Sequence, residues 1–426
     1  MPPVSIAIAQ TTPHASPLTA LRNQPGAVWA VAFAAVVSFM GIGLVDPILP
    51  TIAGKLNATQ TQSELLFTTY LALTGVAMFF TSWVSSRIGT KTTLLIGLAL
   101  VVGFSTACAL APSVAPIIGF RAGWGIGNAL FVSTALAAMV SAATGGSAAA
   151  IILYETALGV GFAFGPLTGG LLGNVTWRGP FAGTAVLMAV GIIAVSIMLK
   201  SGHNVHKEPV HVSAPFKALK DPGMGTMGAA AFFYNMAFFT TLAFPPFALS
   251  RLGVTNPITL GLVFFGWGGL LAVSAVLVAP RLTMHMRRTS ILLMAEVLLA
   301  VVLVVAALMI NSAVGLIVCV VLAGIPLGLL NTVLTECSME ASELPRPVAS
   351  STYSGCRFLG GAIAPPLCTT LAHVTSVWVP FIYGAAMILI SAGIILTRRV
   401  ALSRADGFED AEEESENMAV AAVALA

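Results

Sequence analysis

The chain has 426 residues, of which 57% are hydrophobic and only 8% charged, and its mean hydropathy is +0.96. A soluble protein of this size carries about 25% charged residues, so the soluble classes are excluded and a polytopic membrane protein remains. The net charge of +3 is too small to point to nucleic acid as a partner.

The apolar stretches are about 20 residues long, the length a helix needs to cross the hydrocarbon of a bilayer, and they lack the alternation of a membrane β-barrel. An all-α integral membrane protein is expected. Twelve segments are predicted, near 27–50, 64–85, 93–112, 115–138, 148–173, 180–199, 224–250, 259–280, 290–311, 313–336, 348–372 and 376–397. They imply an N-terminal tail over 1–26, a six-helix bundle over 27–199, a central loop over 200–223, a second bundle over 224–397 and an acidic tail over 398–426. The tail over 1–26 lacks the charged and apolar regions of a removable signal peptide, so the first span is expected to serve as the targeting signal.

Charges inside the apolar segments are the functional candidates, because each costs about 2.5–3.5 kcal/mol on insertion scales unless it faces a cavity or a partner. Asp46 lies near the end of the first segment in DPILP. Pro47 disfavours helical geometry at the preceding residue, which places Asp46 at a local distortion where a buried carboxyl can load and release a proton. Arg121, in the fourth segment, shares a helix face with Gly125 and Asn128. Glu155, in the fifth, shares one with Gly159, Phe162 and Pro166; it reads as a second proton site, a cation-binding carboxylate or the counter-ion of Arg121.

The fifth segment continues as GVGFAFGPLTGG, Gly159 to Gly170. Gly161, Gly165 and Gly169 recur every fourth residue and form a stripe without side chains, which lets a neighbouring helix approach closely. Pro166 removes a backbone donor and bends the helix at the same place. A packed and bent helix inside a bundle is a natural hinge or seal, with Gly170 closing the pattern.

In the second half the polar candidates are Tyr234 and Asn235 in FFYNMAFF, Glu296, Glu336 and Arg357 in STYSGCRFLGG. Tyr234, Asn235, Arg357 and, from the first half, Asn128 are candidates to line a substrate cavity. Arg357 also reads as a structural echo of the Gly159 region, and Glu336, near a helix end, is expected to pair with an Arg. The five cysteines show no paired spacing and read as packing residues, with no metal site implied. The tail beyond Arg399 is acidic and is expected to be solvated.

The two halves repeat. With a shift of 196 residues, Pro50, Leu56 and Thr59 fall on Pro246, Leu252 and Thr255, Lys91 and Thr93 on Arg287 and Thr289, and Gly159 and Gly165 on Gly355 and Gly361. Parallel six-helix repeats with a site between them are a transporter architecture. With the N-terminus inside, the basic residues gather on the inner side and leave only Lys55, Arg178 and Arg251 outside, so both termini and the central loop are expected to be cytoplasmic.

At these residues the sequence resembles the twelve-span drug:proton antiporters of the major facilitator superfamily. GVGFAFGPLTGG resembles that family's fifth-helix antiporter signature, whose implied role is to pack against the opposite half and control leakage. RAGWGIGNA resembles its fourth-helix motif and implies Arg121 in proton transfer; DPILP implies Asp46 as a protonatable carboxylate. SSRIGTKTTLL resembles the loop between spans two and three, with Arg87, Gly89 and Lys91 in place and Ser86 where the family usually has Asp, which puts an inter-helix latch in question. The resemblance implies a multi-pass transporter of the cell membrane, needing no cofactor and driven by the proton gradient, that exports small, mainly lipophilic compounds as a monomer. A proton-linked exporter of a specific metabolite, sugar or lipid, an uptake symporter and a non-transporting receptor are the alternatives. No nucleophile with a base, metal-ligand spacing or phosphate loop points to an enzyme.

Overall fold

The computed structural model describes residues 24–44, 49–144, 146–199, 210–402 and 404–406. Its long helices are α1 Gly26–Gly43, α2 Gln60–Ile88, α3 Thr90–Leu110, α4 Val114–Ala142, α5 Gly146–Val175, α6 Gly179–Met198 and α7 Pro222–Ala243. The order continues with α8 Pro257–Val273, prolonged by a wider turn at Ser274–Val278 and by Ala279–Thr283, then α9 Arg288–Leu308, α10 Ala313–Glu340, α11 Arg346–Val374 and α12 Val379–Thr397. Among the described residues, 11 helices are long and apolar enough to cross a membrane. Helix α11 has the length but carries Ser350, Ser351, Thr352, Tyr353, Ser354 and Arg357 in succession, all buried, so its polarity is turned inward.

Local chemistry sets the helix ends. Thr59 and Gln62 form a reciprocal capping pair at the start of α2, the Asp221 carboxylate accepts from the Met224 amide at 2.9 Å at the start of α7, and the Ser312 hydroxyl accepts from the Gly315 amide at 3.1 Å at the start of α10. Between α2 and α3 a single residue turns the chain: Gly89, with φ of 87°, in a region that side chains disfavour.

The repeat governs how the helices pack. Under the 196-residue shift α2 corresponds to α8 and α5 to α11, and these four helices join the halves by two equivalent contacts, α2 with α11 and α5 with α8. A Cβ on Gly75 would lie 2.8 Å from the Leu359 amide, and one on Gly268 would lie 2.5 Å from the Ala163 Cβ. Residues 163 and 359 are themselves one shift apart, so the two seams are built alike.

The glycine stripe of α5 does not face the other half. Cβ atoms on Gly161 and Gly165 would lie 2.6 Å from the Val36 carbonyl and 2.7 Å from the Met40 carbonyl of α1, and one on Gly169 would collide with the Leu44 carbonyl. The stripe therefore seats α5 on α1 within its own bundle. Contact with the opposite half falls to Gly159, whose Cβ would lie 2.8 Å from Leu271, and to Ala163, Pro166 and Leu167, which meet Gly268 and Gly261 of α8. The reason is angular: Gly159 and Ala163 lie on the nearly opposite face of the helix from Gly161 and Gly165. The helix runs unbroken through Pro166.

The tail is docked at its start. Asp406 accepts hydrogen bonds from the Thr289 amide at 3.0 Å and its hydroxyl at 2.6 Å, and the Ala405 carbonyl accepts from Arg288 at 2.7 Å. The expectation of a solvated tail fails there because Asp406 caps the otherwise bare N-terminus of α9. Residues from 407 onward lie outside the described set.

Candidate functional site

Two polar centres interrupt the apolar interior. The first surrounds Arg121 on α4, which is fully buried. Its Nε donates to the Leu66 carbonyl of α2 at 3.1 Å and its Nη1 to the Gly41 carbonyl of α1 at 3.3 Å. The guanidinium lies 4.3 Å from the ring centre of Tyr70 and 5.0 Å from that of Trp124, so aromatic faces add to its stabilisation. Gly125, one turn on, leaves room for the Tyr70 carbonyl, which a Cβ would approach to 2.5 Å. Asn128, two turns on, accepts a hydrogen bond from Ser38 of α1. Asp46 lies outside the described residues.

The second centre joins the halves. Glu155 of α5 is fully buried and faces α10 and α11, where its Oε1 accepts from the Thr335 hydroxyl at 2.8 Å and pairs with Arg357 Nη1 at 3.7 Å. Arg357 Nη2 donates to Asn331 Oδ1, which also accepts from the Tyr234 hydroxyl at 2.6 Å. The Tyr353 hydroxyl lies 3.5 Å from that of Thr335. Glu155 is thus not the counter-ion of Arg121. Arg121 is turned toward α1 and α2, and the carboxylate's basic partner is Arg357 from the other bundle.

Of the cavity candidates, Tyr234 and Arg357 therefore meet at Asn331, Asn128 belongs to the Arg121 centre, and Asn235 is buried with its amide nitrogen lacking a partner among the described residues. Asn331 and Thr335 escaped the sequence analysis, although an amide alone in the apolar run of α10 was a signal. Glu336 pairs with Arg288 at 3.3 Å, as expected. Glu296 of α9 bonds Ser391 of α12 at 2.5 Å, away from the seam between the halves.

Beside the second centre, Phe162 of α5 collects rings from three other helices: Phe39 of α1 at 6.0 Å, Phe238 of α7 at 5.3 Å and Trp267 of α8 at 6.0 Å between centroids. Phe67 of α2 meets Phe239 of α7 at 6.3 Å toward the same end. At the opposite end Ser350 of α11 donates to the Ser133 carbonyl of α4 at 3.1 Å, beside a small cavity that Leu136, Val140, Ile151, Met339 and Arg346 line from both halves. The halves touch on both sides of the Glu155–Arg357 pair.

The inner-loop residues are placed at the mouth of α2 and α3. Arg87 lies over the Trp83 ring at 5.7 Å, Gly89 makes the turn, and Lys91 donates to the Ser196 carbonyl of α6 at 2.8 Å. Ser86 donates to the Trp83 carbonyl at 2.8 Å and accepts from the Val210 amide at 3.3 Å, so a hydroxyl here ties the chain entering α7 to the end of α2. All five cysteines are buried and free.

The model of the Major Facilitator Superfamily matches residues 31–365. The chain belongs to the major facilitator superfamily. Within that superfamily it is similar to the multidrug efflux protein YfmO of Bacillus subtilis, with 45% identity over 381 residues that cover 89% of this chain and 95% of the relative. It is also similar to the class G tetracycline resistance protein of Vibrio anguillarum, with 31% identity over 205 residues, 46% of this chain and 51% of that protein. The crystal structure of the human organic anion transporter MFSD10 shares the fold with a TM-score of 0.73 over 87% of this chain and 99% of that one, at 14% identity.

Proposed function

We propose that this major facilitator protein is a proton-driven antiporter that exports small, mainly lipophilic compounds, in the manner of a multidrug efflux pump. The observation that carries the reading is the buried Glu155–Arg357 pair. It links the two repeated halves at the level where an alternating-access carrier holds its cargo, with contacts closing both ends. The likeness to YfmO along nearly the whole of both chains supplies the direction and the class of cargo.

In this reading Asp46 loads the proton, Arg121 biases its affinity, and Glu155 and Arg357 answer to the cargo. Coupling requires each ligand to favour one conformation over the other, since a proton bound equally in both would shift nothing. The Gly159 to Gly170 segment holds α5 to α1 on one side and slides against α8 on the other, so the first bundle moves as one body along that seam. The protein acts as a monomer in the cell membrane, without a cofactor, with both termini, the loop over 200–223 and the Arg87–Lys91 turn in the cytoplasm; the bundles over 27–199 and 224–397 are its moving parts.

The test is transport of a fluorescent lipophilic cation into proteoliposomes under an imposed proton gradient, with the native chain and Asp46→Asn. Gradient-dependent accumulation that Asp46→Asn abolishes supports the reading. Equal movement with and without the gradient rejects antiport for that compound, and no movement at all turns the search to a specific metabolite or lipid.

A further inference from the structure

We propose that the site between the halves selects dipolar cargo, compounds carrying a cationic group and an anionic group on one apolar body; this rests on the exchange reading above and names its substrate class.

The argument begins with charge. The buried centre holds one carboxylate, Glu155, and one guanidinium, Arg357, so its net charge is zero. Separating such a pair in an apolar interior leaves two uncompensated charges, which is far costlier than leaving it intact. A ligand that brings only a positive group satisfies Glu155 and strands Arg357, and one that brings only a negative group does the reverse. A ligand with both signs replaces the pair by two new pairs and keeps the centre neutral. Within drug-like lipophilic compounds, the site therefore favours those that are amphoteric.

The geometry offers a place for each end. Glu155 and Arg357 are apposed at 3.7 Å, longer than the roughly 2.7–2.9 Å of a charge-assisted hydrogen bond, so they are not locked together. Glu155 Oε2 is buried and has no partner among the described residues, which leaves one carboxylate oxygen to receive an ammonium. Asn331 spends its oxygen on Tyr234 and Arg357, while its Nδ2 is buried without a partner among the described residues and can donate to an anionic oxygen beside the guanidinium. An unmet acceptor on α5 and an unmet donor on α10 thus flank the pair on opposite sides of the seam. Two turns along α5 from Glu155 and one turn along α7 from Tyr234, Phe162 and Phe238 present rings 5.3 Å apart that suit an aromatic body. The polar ends fix orientation, and the rings supply apolar contact.

The charge balance also separates the two centres. A proton placed on Glu155 while Arg357 stays charged would leave the centre with a net positive charge, so the pair is matched to cargo, and proton loading falls to the Asp46 and Arg121 region.

The experiment measures binding to the full-length protein in nanodiscs of three probes with one naphthyl body: 2-naphthylalanine, which is zwitterionic, 2-(2-naphthyl)ethylammonium and 3-(2-naphthyl)propionate. The native chain is expected to bind the zwitterion at least tenfold more tightly than either singly charged probe. Arg357→Gln should reverse the order in favour of the ammonium, and Glu155→Gln in favour of the propionate, each by at least tenfold, with the thermal unfolding transition retained. If a variant fails to fold, the order in the native chain decides. Affinities within threefold of one another, preference for a singly charged probe, or no binding of the zwitterion at millimolar concentration overturns the proposal. Movement of the lipophilic dye into proteoliposomes of the same protein reports separately on exchange: equal movement with and without a proton gradient rejects the antiport reading without altering the order of the three probes in nanodiscs.

Discussion

Gly268 of α8 leaves no room for a side chain opposite Ala163 of α5: a Cβ there would come within 2.5 Å of the Ala163 Cβ and 2.7 Å of its backbone. The two residues belong to different halves, so their contact exists only while this part of the seam is closed. Gly268→Leu should wedge it open. Overpacking costs about 1–3 kcal/mol, and here the cost is levied on one conformation rather than on the fold. The expected result is at least a tenfold fall in transport rate with little change in thermal unfolding, and greater labelling of a cysteine placed at Ala163.

The same substitution on the α1 side should act differently. Gly165 meets the Met40 carbonyl at 2.7 Å from where its Cβ would be, inside one bundle. Gly165→Leu should lower the thermal transition outright, by the equivalent of about 1–3 kcal/mol, and depress transport in proportion to folded protein. Thermal unfolding in detergent followed by tryptophan fluorescence distinguishes the two variants.

Ser391 has one hydroxyl proton and two acceptors, Glu296 Oε1 at 2.5 Å and the Ala230 carbonyl at 3.1 Å. The arrangement is complete when the carboxyl brings a proton of its own and donates to Ser391, which then donates to Ala230. Helices α7 and α12 carry no charged side chain, and Arg288 on α9 is taken up by Glu336 and Glu340. An amide can donate in the same way, so Glu296→Gln should leave transport and stability within about twofold of native. Glu296→Ala should lower stability by about 1–3 kcal/mol, since it strands the Ser391 hydroxyl and opens a void. Equal damage from both variants would reject the bridge.

At the tail, Asp406 holds the amide and hydroxyl of Thr289 at the start of α9. Asp406→Ala should cost about 1–2 kcal/mol as the loss of a helix cap, read as a lower thermal transition. Thr289→Val, which keeps the amide hydrogen bond and loses only the hydroxyl one, should cost less, and the double variant should add little to Asp406→Ala alone, because the hydroxyl contact is already gone.

Much of this architecture was legible in the chain. Hydrophobic segments of spanning length gave the helices, and the 196-residue repeat anticipated that α2 and α8, and α5 and α11, would occupy equivalent places. What spacing could not give was azimuth. Gly161 and Gly159 differ by two positions, a rotation of about 200° on a helix, and so face α1 and α8 respectively. The partner of Glu155 was hidden for a related reason: Arg357 lies 202 positions away, and no local pattern states which buried base meets which buried acid. Ser86 read as a missing latch because a hydroxyl lacks the charge of Asp, yet its hydrogen bond to Val210 gives the position a different use. Asp46, which carries most of the proton reading, belongs to the residues not described.

The two seams between the bundles have a historical consequence. Two identical copies of one six-helix unit, related by a two-fold axis, would make both seams at once, because such an axis pairs the same surfaces on each copy. An ancestral homodimer could therefore have closed in this way before the halves were joined. It could not have held a single charged pair, because a two-fold axis makes every contact across it twice. One shift from Glu155 stands Ser351, and one shift from Arg357 stands Gly161, so symmetry would set a hydroxyl beside a glycine where the acid now meets the base. A single acid facing a single base across the axis requires halves that have become different. The most polar point of the seam is thus the place where the duplicated genes could no longer remain copies.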